Sequence, residues 1–161
     1  MAKGSGRPPA ASPASVVVPG QDRPEGRPIS CDLLCDNDRV PSRIAAIAID
    51  AVEPRALADF WCQVLGWRIV EEDAGGVSLA AAEGAGPTID VFAVPEPKTV
   101  KNRLHLDLRA DGVTTSEELQ RLLDLGARRT DVGQASDASW VVLSDPEGNE
   151  FCLLARSAQE V

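Results

Sequence analysis

The sequence predicts an α+β domain of two tandem βαβββ modules, a curled mixed sheet around a shared cavity, preceded by a Pro-rich arm. Three observations predict it. The order strand, helix, three strands occurs twice in the periodicity of the chain. Each predicted helix ends on a glycine, Gly66 and Gly126, at about the same point of the two repeats. One helix per module covers one face of its sheet, so two open faces are left to enclose a cavity, a natural ligand site.

The first strand is Arg43 to Asp50, a short apolar run with Ile47 and Ile49 on one face. Pro54 suits the first turn of a helix, and Leu57, Phe60, Trp61, Val64 and Leu65 form its apolar stripe. Trp67 to Glu71, Val77 to Ala82 and Thr88 to Val94 follow as strands, separated by the turns at Gly75-Gly76 and Gly84 to Pro87. Glu71-Glu72-Asp73 reads as a solvated charge run. Pro95-Glu-Pro97 interrupts the pattern. Arg103 to Arg109 then alternates strictly, as a half-buried strand should, and Thr115 with Glu118 has the spacing of a capping box. Leu119, Leu122 and Leu123 give the second helix its face. Ala127 to Val132, Ser139 to Ser144 and Glu150 to Leu154 are the last strands, with the turn Asp145-Pro-Glu-Gly-Asn149 before the final one.

Residues 1–42 differ from the rest. They hold seven of the twelve prolines and no aromatic residue, so they cannot bury enough apolar area to offset ordering, and a disordered arm is expected. Residues 43–156 form the domain, with repeats 43–94 and 103–156, and 157–161 are a short tail. The arm carries five basic and five acidic residues; the other 11 basic and 20 acidic residues put the net charge of -9 on the domain. That charge argues against nucleic acid and anionic membrane surfaces as partners. No apolar run approaches membrane length. Cys31, Cys35, Cys62 and Cys152 do not read as a disulfide framework, and Cys31 with Cys35 lacks a second ligand pair nearby. A cytoplasmic location is expected. His105 is the only histidine, and the chain has no tyrosine, so multi-imidazole sites and phenol chemistry are excluded within one chain.

Phe60-Trp61-Cys-Gln-Val-Leu65-Gly66-Trp67 resembles the aromatic-pair, Leu-Gly helix ending of the vicinal oxygen chelate superfamily, which includes glyoxalases, bleomycin-resistance proteins and dioxygenases. Asp145-Pro146-Glu147-Gly148-Asn149-Glu150-Phe151 resembles its hairpin before the last strand. The stretch Val94 to Leu108 resembles a glyoxalase-like subgroup. The resemblance implies a divalent metal held by residues of the first, fourth, fifth and eighth strands. Those positions fall on Ala46, near Phe92-Ala93 with Asp90 the closest carboxylate, on His105, and on Cys152. One match and one ambiguous thiol do not form that set, so no metal and no cofactor are expected. The resemblance also implies that modules can pair between chains, so a homodimer is one expected assembly.

His105 is read as a general base or ligand, with Asp107 or Asp90 orienting it, or else as a hydrogen-bonded structural histidine. Cys152, between Phe151 and Leu153, is a candidate nucleophile with His105 as its base, or a small packing residue. Together with Asp90 these are the candidate catalytic residues. Trp140 can stack on a flat ligand or pack beneath a helix. Lys101 and Arg103, with Lys98, either hold an anionic group at the cavity rim or pair with the acidic surface. Asp107 and Glu150 are carboxylates expected at the ligand. Two function classes follow. One is a metal-poor domain binding a small cationic or planar molecule, a charge the acidic domain suits. The other is a glyoxalase-type lyase or isomerase using His105 as base or metal ligand.

Overall fold

The computed structural model describes residues 42–84, 86–135 and 137–161. The expectations for the arm, including Cys31 and Cys35, lie outside the described residues. Ser42–Val161 forms one compact unit.

The first module runs β1 (Ala46–Ala51), α1 (Pro54–Leu65), β2 (Arg68–Asp73), β3 (Gly76–Ala80) and β4 (Thr88–Ala93). The second runs β5 (Asp107–Leu108), α2 (Thr115–Asp124), β6 (Arg128–Arg129), β7 (Trp140–Ser144) and β8 (Glu150–Leu154). Each module lays down a four-stranded sheet, ordered β1-β4-β3-β2 and β5-β8-β7-β6. In each, the first strand pairs parallel to the last and the others pair antiparallel. The mixed sheet is therefore two separate halves rather than one hydrogen-bonded sheet. No helix among the described residues is long and apolar enough to cross a membrane.

Strand alternation sends Ile47, Ile49, Ile89 and Val91 to the helix side, and Leu143, Phe151 and Leu153 do the same in the second module. One apolar core spans both modules, with Phe60, Trp61 and Phe151 meeting edge to face at centroid distances of 5.5, 6.3 and 5.2 Å. Trp67 packs against it half-buried. Gly66 ends α1 at φ 66°, the left-handed conformation that glycine adopts without penalty.

Three local expectations are corrected. The strand expected over Arg103 to Arg109 contracts to Asp107–Leu108. Glu150 takes the Asn102 N–H at 2.9 Å, which draws the incoming chain away from the ladder, and Leu104 is 77% exposed rather than packed under a helix. The strand expected over Ala127 to Val132 contracts to Arg128–Arg129. The capping box begins at Thr114, not Thr115. Thr114 Oγ1 accepts from Glu117 N and Glu117 returns to Thr114 N at 2.9 Å, while the Thr115 hydroxyl is taken by the Ala155 carbonyl and Glu118 by Arg121.

Candidate functional site

The hairpin between β7 and β8 staples the modules. Asp145 is 1% exposed, and its carboxylate accepts from Trp61 Nε1 at 3.2 Å, Glu147 N at 3.0 Å and Asn149 N at 2.8 Å. Burial pushes its carboxyl above the usual range, against the pull of these donors. Gly148, at φ 88°, lets the turn close. Glu147 reaches the other module and accepts from Val52 N at 3.2 Å and Glu53 N at 3.0 Å, beside the start of α1. At the opposite end of α1, Arg121 of α2 donates to the carbonyls of Gln63 (2.9 Å) and Val64 (3.0 Å). A carboxylate thus sits at the positive end of α1 and a guanidinium at its negative end.

Two cavities flank this junction. One, of about 440 Å³, lies at the seam of the modules and is lined by Ile47, Asp50 and Trp61 of the first and by Arg103, His105 and Glu150. The other, of about 400 Å³, opens on the second sheet away from its helix and is lined by Lys101, His105, Asp107, Trp140, Val142, Glu150, Cys152 and Leu154. His105 and Glu150 border both.

The open-face cavity gathers six of the eight residues singled out from sequence: His105, Cys152, Asp107, Trp140, Lys101 and Glu150. Asp107 stands opposite Cys152 in the parallel β5–β8 register, and His105 is two residues before Asp107, so the three share a face. His105 Nδ1 lies 3.3 Å from Asp107 Oδ1 and 3.8 Å from Cys152 Sγ. Burial first, then the neighbouring Asp107 carboxylate, push the Cys152 thiol up to about 11. It is therefore protonated near neutral pH, which opposes the nucleophilic role considered for it. Trp140 is 43% exposed on the same face, beside Val142 and Leu154.

The remaining residues are placed elsewhere or engaged. Asp90 lies with Ser78 and Phe92 at a shallow cavity on the first sheet, apart from His105 and Cys152. Arg103 lines the seam cavity only. Glu150 holds the linker: Lys98 Nζ is 2.9 Å from its carboxylate, and it accepts from Asn102 N at 2.9 Å. Burial raises its carboxyl, but these donors outweigh burial and hold it below the usual range. Lys101 Nζ donates to the Asn102 carbonyl at 3.1 Å. The roles of Glu147 and Asn149 were missed from sequence. The available signal was that α1 has no capping side chain of its own, so its start needed an acceptor from elsewhere.

The four-strand metal set that the resemblance implies does not fit. Ala46 offers no donor, Phe92 and Ala93 are apolar, and Asp90 does not share a cavity with His105 and Cys152.

Paired βαβββ modules with polar groups on an open sheet face define a scaffold of the vicinal oxygen chelate class. The chain belongs to the glyoxalase-like domain family, whose sequence model matches residues 46–154. Similar solved structures include a glyoxalase/bleomycin resistance protein/dioxygenase family enzyme from Burkholderia phytofirmans PsJN, at 19% identity and TM-score 0.52, covering 70% of this chain and 97% of that one. TnmS3, an antibiotic binding protein from Streptomyces sp. CB03234, matches at 19% identity and TM-score 0.52, covering 74% of this chain and 99% of that one. The fosfomycin resistance protein FosX from Listeria monocytogenes, complexed with Mn(II) and sulfate, matches at 13% identity and TM-score 0.55, covering 74% and 94%. At these identities the likeness establishes the fold. No curated protein matches the chain.

Proposed function

We propose that this domain binds a small planar molecule, preferentially a cationic one, in the open-face cavity of the second sheet. The observation that carries the reading is Trp140. A half-exposed indole on a sheet face, next to Val142 and Leu154 and across from His105 and Asp107, offers a stacking platform with polar groups at its edge. The acidic charge of the domain favours a cation through its long-range field. An antibiotic binding protein is built on a similar fold, which supports small-molecule binding as a use of this scaffold. The reading requires no resident cofactor. It places the protein in a reducing, cytoplasmic setting, which suits the free thiols Cys62 and Cys152, and it allows a homodimer.

The test is a panel of cationic, neutral and anionic planar compounds titrated into the full-length protein, read by tryptophan fluorescence and thermal shift. Cationic planar compounds should quench and stabilise, and Trp140→Ala should remove both effects. No response to any compound, alongside turnover of a test substrate, would overturn the reading. That outcome belongs to the second reading, a glyoxalase-type lyase or isomerase. The 3.3 Å contact of His105 with Asp107 favours it, because a carboxylate that orients an imidazole prepares it as a general base. Turnover should then be lost in His105→Ala.

A further inference from the structure

We propose that Asp111-Gly112 is a self-modification site, where the Gly112 backbone nitrogen closes on the Asp111 side chain to give a succinimide and then isoaspartate, and that Gln159 of the C-terminal tail holds the pair unreacted. The chain has no other Asp-Gly pair and no Asn-Gly pair. The chemistry balances with water alone. A bond forms from Gly112 N to Asp111 Cγ, and the N–H proton and the carboxyl hydroxyl leave together as water. Water then opens the five-membered ring at either carbonyl. One opening restores aspartate, and the other routes the backbone through the side-chain carboxyl as isoaspartate. Glycine obstructs the closure least, because it puts no Cβ beside the attacking nitrogen.

One primary amide grips both reacting groups. Gln159 Nε2 donates to Asp111 Oδ1 at 2.5 Å, and Gln159 Oε1 accepts from Gly112 N at 3.3 Å. The donor end of the amide takes the carboxylate and its acceptor end takes the N–H, so each is used in its own role. Ring closure needs the Asp111 carboxyl carbon brought onto the Gly112 nitrogen. With both groups turned to the tail, neither reaches the other until Gln159 lets go. Asp111 and Gly112 are exposed, and among the described residues no other hydrogen bond reaches the carboxylate or the Gly112 N–H.

The grip depends on the seat of the tail. Ala158 N donates to the Ala110 carbonyl at 2.8 Å, Arg109 Nη1 to the Arg156 carbonyl at 2.8 Å and Thr115 Oγ1 to the Ala155 carbonyl at 2.9 Å. The single 3-10 turn Ala158–Glu160 carries Gln159, and Glu160 accepts from Ser157 N at 2.7 Å to close that turn. Ala110 and Ser157 are both buried at this contact. Isoaspartate adds a methylene to the backbone between Ala110, whose carbonyl seats the tail, and Thr114, which caps α2. One ring closure therefore displaces the tail and loosens the start of α2, and a displaced tail leaves the pair unguarded. The seated, unreacted form and the displaced, reacted form each sustain themselves.

The test is incubation of the full-length protein near neutral pH, with isoaspartate at Asp111 mapped over time by mass spectrometry with electron-based fragmentation. Each exposed hydrogen bond shifts a local opening by about two- to tenfold, so Gln159→Ala, which loses both, should accumulate isoaspartate about tenfold faster than the parent. Amide exchange in α1 should be the same in the two proteins, which shows that the variant stays folded. The parent unfolded in guanidinium chloride should react faster than the folded parent, and Asp111→Glu should not react, because its six-membered ring closes far more slowly. Isolated isoaspartyl protein should exchange the Ala158 amide faster than the unreacted form. Equal rates in the parent and Gln159→Ala would overturn the guarding role. No isoaspartate at Asp111 in the unfolded parent would overturn the site itself, and unchanged Ala158 exchange would overturn its coupling to the tail. None of these outcomes bears on ligand stacking at Trp140, so the two readings fail separately.

Discussion

Helix α1 depends on the second module at both ends, and removing one support gives a calculable loss. Glu147→Ala deletes the carboxylate that accepts from Val52 N and Glu53 N. A lost N-terminal cap costs about 0.5–2 kcal/mol, and a lost anion at the positive end of a helix about 0.3–1 kcal/mol. These overlap in one half-exposed side chain, so the combined cost is about 1–2 kcal/mol. In a unit of about 120 residues each kcal/mol lowers Tm by roughly 3–5 °C, and the variant should melt about 3–10 °C lower in differential scanning calorimetry. Glu147→Gln keeps one acceptor oxygen and should lose about half as much. Arg121→Ala removes the bonds to the Gln63 and Val64 carbonyls at the far end of the helix. The 12 residues of α1 separate the two sites by about 18 Å, so the losses should add in the double variant. A shift in Glu147→Ala of less than about 1 °C would refute the reasoning. A double variant no less stable than the weaker single one would refute it equally.

Three further outcomes follow from the same geometry. Trp140→Ala should leave the melting temperature within about 2 °C of the parent, because the indole is half exposed, while a parent protein with unquenched Trp140 fluorescence in bound ligand would contradict stacking. The Glu150 carboxyl is held below the usual range, so its stabilisation is complete above the unfolded carboxylate range and is lost as pH falls through its folded value. Amide exchange at Asn102 should therefore accelerate in acid, and Glu150→Gln should flatten that dependence; identical profiles would show that the contact does not hold the linker. A thiol raised from 9.0 to about 11 has a thiolate fraction about a hundredfold smaller at pH 8, so iodoacetamide should modify Cys152 far more slowly in the folded than in the urea-unfolded protein, and equal rates would exclude the buried thiol.

The βαβββ order was legible because it rests on local signals: the stripe from Leu57 to Leu65, the alternation of Thr88 to Ala93, and the turns at glycine. What stayed illegible depended on partners far along the chain. Thr114 and Thr115 each have a glutamate three residues on, and only the distant Ala155 carbonyl decides the frame, by occupying Thr115. Alternation put His105 and Asp107 on one face, but that Cys152 stands opposite Asp107 is a matter of register across the sheet. Nothing local reveals that Glu150, read as a ligand contact, is spent on Lys98 and Asn102.

The division between motif and site has a physical basis. Asp145, Glu147, Asn149 and Glu150, the polar residues of the hairpin that carries the family resemblance, bond to α1, to the hairpin itself and to the linker. Phe60 and Trp61 of the other motif fill the core between the modules. These residues hold two modules together, a task that is the same whatever the cavity binds. The groups facing the open cavity, His105, Asp107, Trp140 and Cys152, lie outside the polar contacts of the staple. If the open cavity is the binding site proposed above, a substitution among them should alter binding without unlocking the modules, and a substitution in the hairpin should do the reverse. Family membership therefore carries the architecture of this chain, while its chemistry has to be read from the strand faces.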